Sequence, residues 1–191
     1  MNATALWYLE TGPWYALGAY WVVNAVQVKP TRVNEDAAGR LLHIAVMALT
    51  FALLASHRLE LGFLGRRFVP ENSSLRDLGI FITFVGAAIA IWARFTLGQY
   101  WSARVTLKMD HRLIRSGPYT YVRHPIYSGL LLAMAGTALV IGEWRAVVAV
   151  LIAILEFSRK ASKEEVFLTT EFNVDYQEYR KHAGFLIPRF R

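Results

Sequence analysis

The chain has no cysteine among its 191 residues. Disulfide frameworks, thiolate zinc sites, iron–sulfur clusters and cysteine nucleophiles are therefore excluded. Charge is scarce too: charged residues make up 18% of the chain and hydrophobic ones 55%, with a mean hydropathy of +0.31. So apolar and aromatic a composition excludes intrinsic disorder. No internal repeat or low-complexity tract is present. Residues 1–10 lack a basic n-region, so no signal peptide is expected. His43, His57, His111, His124 and His182 show no ligand spacing, and no metal is expected.

The missing charges have a pattern. Residues 11–28, 41–57, 78–93 and 124–142 carry no Asp, Glu, Lys or Arg, and 146–155 is a fifth, shorter gap. A bilayer-spanning helix takes about 20 mostly apolar residues, ~17 at the lower end. Four gaps sit near that limit, and the fifth must extend through Glu156 to about Phe157 to span. Five such segments leave too little polar surface for a soluble helical bundle. The expected fold is all-α: a polytopic membrane helix bundle with about five transmembrane helices.

Pro13 suits the start of span one, and Trp7, Tyr8, Trp14 and Tyr15 fit an interfacial aromatic belt. Gly129 and Gly136 in span four allow close helix approach in lipid. Residues 142–145 then form a tight turn, making spans four and five an antiparallel hairpin. In this arrangement 16 of the Lys and Arg residues fall on one side and 5 on the other. The positive-inside rule places the N-terminus outside and the C-terminus in the cytoplasm. It also accounts for the net charge of +7 without nucleic acid, since the basic residues alternate between loops and form no single arm.

The two largest polar segments both fall on the cytoplasmic side. The loop reads Leu97-Gly-Gln-Tyr-Trp-Ser102, His111-Arg-Leu-Ile-Arg-Ser-Gly-Pro-Tyr119 and Arg123-His-Pro-Ile-Tyr-Ser-Gly129. Gly117, Pro118 and Pro125 stiffen it. A helix start near Pro125 offers unpaired N–H groups to an anion. In the tail, Leu168, Phe172, Tyr176 and Tyr179 recur at helical spacing, with Glu171, Asp175 and Glu178 opposite. Such an amphipathic helix is expected to pack its aromatic stripe on the loop or on the membrane surface.

The Arg123-His-Pro-Ile-Tyr-Ser-Gly129 motif, followed by Glu164-Glu165, resembles the isoprenylcysteine carboxyl methyltransferase family. That family belongs to a wider group of small integral-membrane, phospholipid-methyltransferase-like enzymes. Leu97-Gly-Gln-Tyr-Trp-Ser102, His111-x-Leu-Ile, Tyr176-x-x-Tyr179 and Ile187-Pro188 are similar to its pattern as well. The resemblance runs from about Phe95 to Pro188. It divides the chain into N-terminal spans one to three, 1–93, and a methyltransferase-like core, 94–191.

What the resemblance implies is S-adenosylmethionine bound at a cytoplasmic cofactor site formed by the loop and the C-terminal amphipathic helix. Its contacts would be His111, Arg112, Leu113, Ile114, Tyr119, His124, Pro125, Ile126 and Tyr127, with Glu164 holding the amino group or sulfonium region. The family's substrate-gripping arginine falls on Lys160, with Arg159 adjacent. A lysine meets a carboxylate as a point charge rather than as a fork. Asn173 stands where the family often has glycine, and Asn tolerates left-handed geometry.

The implied activity is S-adenosylmethionine-dependent methyl transfer to a lipid-like substrate entering from the bilayer. The favoured acceptor is the carboxylate of an isoprenylcysteine or related isoprenoid. A carboxylate needs no general base and an amine need only be unprotonated, so the absence of a Ser-His-Asp triad is expected. Phospholipid or amine N-methylation, an NADPH-dependent membrane reductase of the sterol-reductase type, and a non-catalytic membrane carrier are the alternatives. Plainer roles exist for single residues. His124 caps span four, Tyr127 joins the belt, Lys160 and Glu164 form an i,i+4 surface pair, Glu156 pairs with Arg159 or Lys160, and His43 is structural or pore-lining.

Overall fold

A computed structural model describes residues 2–24, 31–33, 37–55, 62–98, 101, 107–108 and 113–190. Among them are five helices: α1 (Ala3–Asn24), α2 (Ala37–Ala55), α3 (Ser73–Leu97), α4 (Pro125–Ile141) and α5 (Trp144–His182). Two short strands, β1 (Thr31–Val33) and β2 (Leu107–Lys108), pair antiparallel. Among the described residues the regular structure is helical apart from one small ribbon, and the described part of each charge-free stretch lies in or against a helix. Two helices, α2 and α3, are long and apolar enough to cross a membrane, while α4 has 17 residues.

Local chemistry sets the helix ends. The Asn72 side chain accepts the Ser74 N–H at 2.8 Å and starts α3, and Gly98, at φ 52°, ends it. Pro125 occupies the first turn of α4, and Gly142, at φ 70°, closes that helix in the left-handed conformation. The sharp α4–α5 turn follows.

Two boundaries differ from expectation. Helix α1 begins at Ala3 and runs through Pro13 instead of starting there. The Asn2 side chain accepts the Ala5 N–H at 2.8 Å, which supplies an earlier cap. Pro13 lacks the N–H that would meet the Leu9 carbonyl, and α1 continues past it. The tail is also not a separate helix. It continues α5 without a break to Phe172 and bends at Asn173, whose φ and ψ are 40° and −110°.

That conformation suits glycine, whereas a Cβ is strained there. Asn173→Gly is therefore expected to stabilise the protein by about 1 kcal/mol. For a chain of this size that raises Tm by roughly 2–4 °C in a detergent thermal melt. An unchanged or lower Tm would refute strain at this bend.

Helices α3 and α4 pack most intimately. Gly79 faces Gly136 and Gly86 faces Gly129, a seven-residue spacing on both antiparallel helices. A Cβ on Gly129 would lie 2.6 Å from the Ala90 nitrogen, and one on Gly136 would lie 2.5 Å from the Gly79 oxygen. Between these pairs Thr83 donates to the Gly79 carbonyl at 2.9 Å. Helix α2 lies on α5, where Leu54, Met134, Ala138, Ala146, Ala149, Ala153 and Phe157 form a core. Most buried residues are small, whereas Val22, Val23, Leu41, Ile44, Phe81, Leu151 and Leu155 point outward.

Polar contacts gather at the two ends. At one, Arg67 donates to the Ile141 carbonyl, Phe68 N–H to Gly142, and Arg145 to the Leu53 and Leu54 carbonyls. At the other, Arg94 donates to the Gly98 and Asn24 carbonyls, and the α4 start meets the tail. These groups sort by end as the charge count sorts them by side.

Candidate active site

The loop before α4 is held by the tail. Arg123 and His124 donate backbone N–H groups to the Gly184 and Phe185 carbonyls at 2.8 and 3.3 Å. Gly184 and Arg189 return N–H groups to the Tyr121 carbonyl at 3.0 and 2.9 Å. Ser128 Oγ donates to the Leu186 carbonyl at 2.6 Å. The Tyr179 hydroxyl donates to the Tyr119 carbonyl at 2.6 Å, and burial pushes both phenols up, which keeps them protonated. The aromatic stripe packs on the loop: Tyr176, Tyr179, Leu168 and Phe172 cluster with Leu113.

Two adjacent carboxylates on α5 meet this frame. Glu164 accepts the Tyr127 hydroxyl at 2.5 Å and lies 3.4 Å from His124 Nδ1. Glu165 accepts Arg123 Nε at 2.6 Å and lies 3.5 Å from Arg180. His124 stands between the two acids and is 6% exposed. Its Nε2 is 3.4 Å from Glu165, at an angle that makes no hydrogen bond, and so is a buried polar atom without a hydrogen-bond partner. His124, Tyr127 and Phe157 form a stack, with centroids 5.9 and 5.0 Å apart.

The sites predicted from sequence therefore converge in part. Tyr119, Ile126, Ile114 and Tyr127 form one cluster around Ala93. Pro125 is buried beside His124, and Glu164 joins through Tyr127. Leu113 diverges toward the tail. His111 and Arg112 lie outside the described residues. Lys160 is buried on the inward face of α5, one turn from Glu164. Arg159 instead forks onto Glu156 at 2.8 and 2.6 Å, and the same carboxylate meets His43 Nδ1 at 2.8 Å. Two residues were not anticipated as site members: Arg123, present in the motif without a role, and Glu165, the neighbour of the acid singled out.

Burial by itself pushes Glu165 up, but His124 and Arg123 beside it outweigh that and bring the carboxyl down to about 2. Burial likewise opposes the His124 imidazolium, yet Glu164 and Glu165 raise it above its ordinary value of 6.5. The Glu165 contribution to stability is thus present above 4.5, the unfolded value, and lost as pH falls from there through about 2. The His124 contribution is present below 6.5 and lost as pH rises through its higher folded value. Thermal unfolding across pH should show both limbs, and Glu165→Gln should flatten the acid one. An acid limb unchanged in that variant would assign it to other groups.

The chemistry of the donor set fits a cationic cofactor. Glu164, bonded to the neutral Tyr127 hydroxyl, suits an ammonium or a sulfonium, whereas Glu165 is taken by Arg123; the buried Nε2 of His124 offers one further polar contact. The profile of the isoprenylcysteine carboxyl methyltransferase (ICMT) family matches residues 78–170. A probable protein-S-isoprenylcysteine O-methyltransferase of Oryza sativa subsp. indica is 30% identical over 144 residues, covering 73% of this chain and 74% of that protein. The protein-S-isoprenylcysteine O-methyltransferase of Schizosaccharomyces pombe is 34% identical over 94 residues, 48% of this chain and 40% of that protein. The Homo sapiens enzyme of the same name is 29% identical over 127 residues, 63% and 45%. The matched segment is thus less than half of the yeast and human proteins but about three quarters of the rice one. With the motif, the acid pair and these relatives in agreement, the chain belongs to the isoprenylcysteine carboxyl methyltransferase family.

Proposed function

We propose that this protein is an integral-membrane, S-adenosylmethionine-dependent methyltransferase that esterifies the carboxylate of an isoprenylcysteine or related isoprenoid. The observation that carries the reading is the His124–Tyr127–Glu164–Glu165 cluster joining the start of α4 to α5. When bound, the donor supplies an electrophilic methyl group on a sulfonium. Glu164 would hold its cationic end, and His124, Tyr119, Ile114 and Ile126 would line the site. Tyr127 orients Glu164. Lys160, one turn before Glu164, would meet the acceptor carboxylate, which is ionised at neutral pH and needs no base. The chain's task is then alignment and exclusion of water.

Five membrane-spanning helices, with the cofactor end and the C-terminus in the cytoplasm, fit this reading. Large side chains on the outside and small ones within suit lipid as solvent. We read 1–93 as the membrane-anchoring part and 94–191 as the methyltransferase core. The acceptor would enter sideways from the bilayer.

The test begins with purified wild-type protein in detergent, titrated calorimetrically with S-adenosylmethionine, S-adenosylhomocysteine and NADPH. Methyl transfer is then assayed with a farnesylated N-acylcysteine and with phosphatidylethanolamine. The expected result is binding of the first two ligands and methylation of the cysteine acceptor. NADPH binding alone, or methylation of the phospholipid alone, would overturn it. Glu164→Gln is expected to weaken donor binding on the order of tenfold. Lys160→Ala should leave donor binding intact and raise the acceptor KM. Equal losses in both variants would remove this division of roles.

A further inference from the structure

An ionisable side chain deep in an apolar helix is costly and marks use more often than stability. Glu156 is such a group. It follows the charge-free run 146–155 on α5, and its side chain is 4% exposed. Two elements serve it: Arg159, one turn on, and His43 on α2, whose Nδ1 is 2.8 Å away. The neighbouring Phe157 faces the His43 ring, with centroids 6.4 Å apart, and stacks on Tyr127 at 5.0 Å. A ring column therefore runs from His43 through Phe157 and Tyr127 to His124. Lys160 lies one turn beyond Glu156 on the same buried face. The α2–α5 contact is otherwise lined by Ala146, Ala149, Ala153, Leu54 and Met47, a smooth apolar surface that resists sliding weakly. Polar pins hold α2 near both ends: Arg145 on the Leu53 and Leu54 carbonyls, and His43 on Glu156. His43 lies outside residues 78–170, the segment that matches the family.

We propose that His43, acting through Glu156, is a positioning residue for the methyl acceptor, fixing α2 against the Arg159–Lys160 turn of α5. This rests on the methyltransferase reading above. The pin sets the register of α2 against the turn that carries Lys160, and so the register in which the acceptor carboxylate meets that turn. The donor's own contacts, on α4 and at Glu164, lie beyond the pin.

The experiment uses the full chain in lipid nanodiscs, with wild type measured first, so that absent wild-type methyl transfer refutes the function and not the pin. His43→Ala is expected to raise the acceptor KM about tenfold, with kcat and donor affinity within about twofold of wild type. His43→Asn places an amide donor where Nδ1 stands and should restore most of the KM. Adding His43→Ala to Glu156→Ala should cost little beyond Glu156→Ala alone, because both remove the same contact. A wild-type KM in His43→Ala would overturn the proposal. So would parallel losses of donor binding and folded fraction, failure of His43→Asn to recover the KM, or additive losses in the double variant.

Discussion

Arg123→Ala is expected to lose donor binding by at least about 100-fold and to destabilise the protein by about 3–5 kcal/mol, the cost of breaking a buried ion pair from one side. The guanidinium bonds Glu165 at 2.6 Å and the Ala183 carbonyl at 2.5 Å, and it lies 5.6 Å from the Phe185 ring. One side chain thus joins the loop, α5 and the tail. Without it, Glu165 stays buried with His124 poorly aligned and Arg180 at 3.5 Å. Arg123→Lys keeps the charge but loses the planar fork, and should fall between wild type and alanine. Thermal melts and donor titrations on the same preparations check this. Wild-type affinity and Tm in Arg123→Ala would show that the tail docks without this pair.

Gly129→Leu is expected to prevent assembly of α3 on α4, at a cost of about 3 kcal/mol or more, seen as loss of folded material in detergent. The obstacle is backbone: the Ala90 nitrogen, at 2.6 Å, and the Gly86 carbonyl, at 2.7 Å, already occupy the space of a Cβ. Backbone cannot swing aside as a long side chain can. Gly136→Val should behave in the same way against Gly79 and Thr83. Gly18→Ala on α1 is the control, since nothing lies within 4 Å of its added methyl. It should be neutral or slightly stabilising, because alanine favours helix over glycine by roughly 1 kcal/mol. A Gly129→Leu protein with the wild-type melting curve would refute the close crossing.

The helices were legible because the charge-free gaps trace the elements. Gly129 and Gly136 announced a close approach, although their partners Gly79 and Gly86 came from packing alone. The aromatic stripe predicted its docking on the loop. Helix α1 was misjudged at Pro13 because a proline reads as a start whether or not an earlier cap exists, and Asn2 supplies one. The bend at Asn173 was foreshadowed by the family's glycine there, but the unbroken helix before it left no mark in the pattern. Within the site, Glu164 and His124 were legible from the motif. Glu165 was not, since adjacent acids on a helix point in different directions and spacing alone does not say which turns inward. The His43–Glu156 contact joins residues 113 apart in sequence, a separation at which no local periodicity operates.

The pairing of the loop with the tail also orders events during synthesis. Arg123 meets Ala183, 60 residues later in the chain. At translation rates of about 5–20 residues per second, that is a delay of roughly 3–12 s. During that interval α4 is already complete while His124 has neither its acids nor the tail beside it. The nascent protein then has an open loop, exposed to proteases and chaperones. The frame around His124 closes in a single late step, when the last turns of α5 reach back and the segment after them pairs with Tyr121.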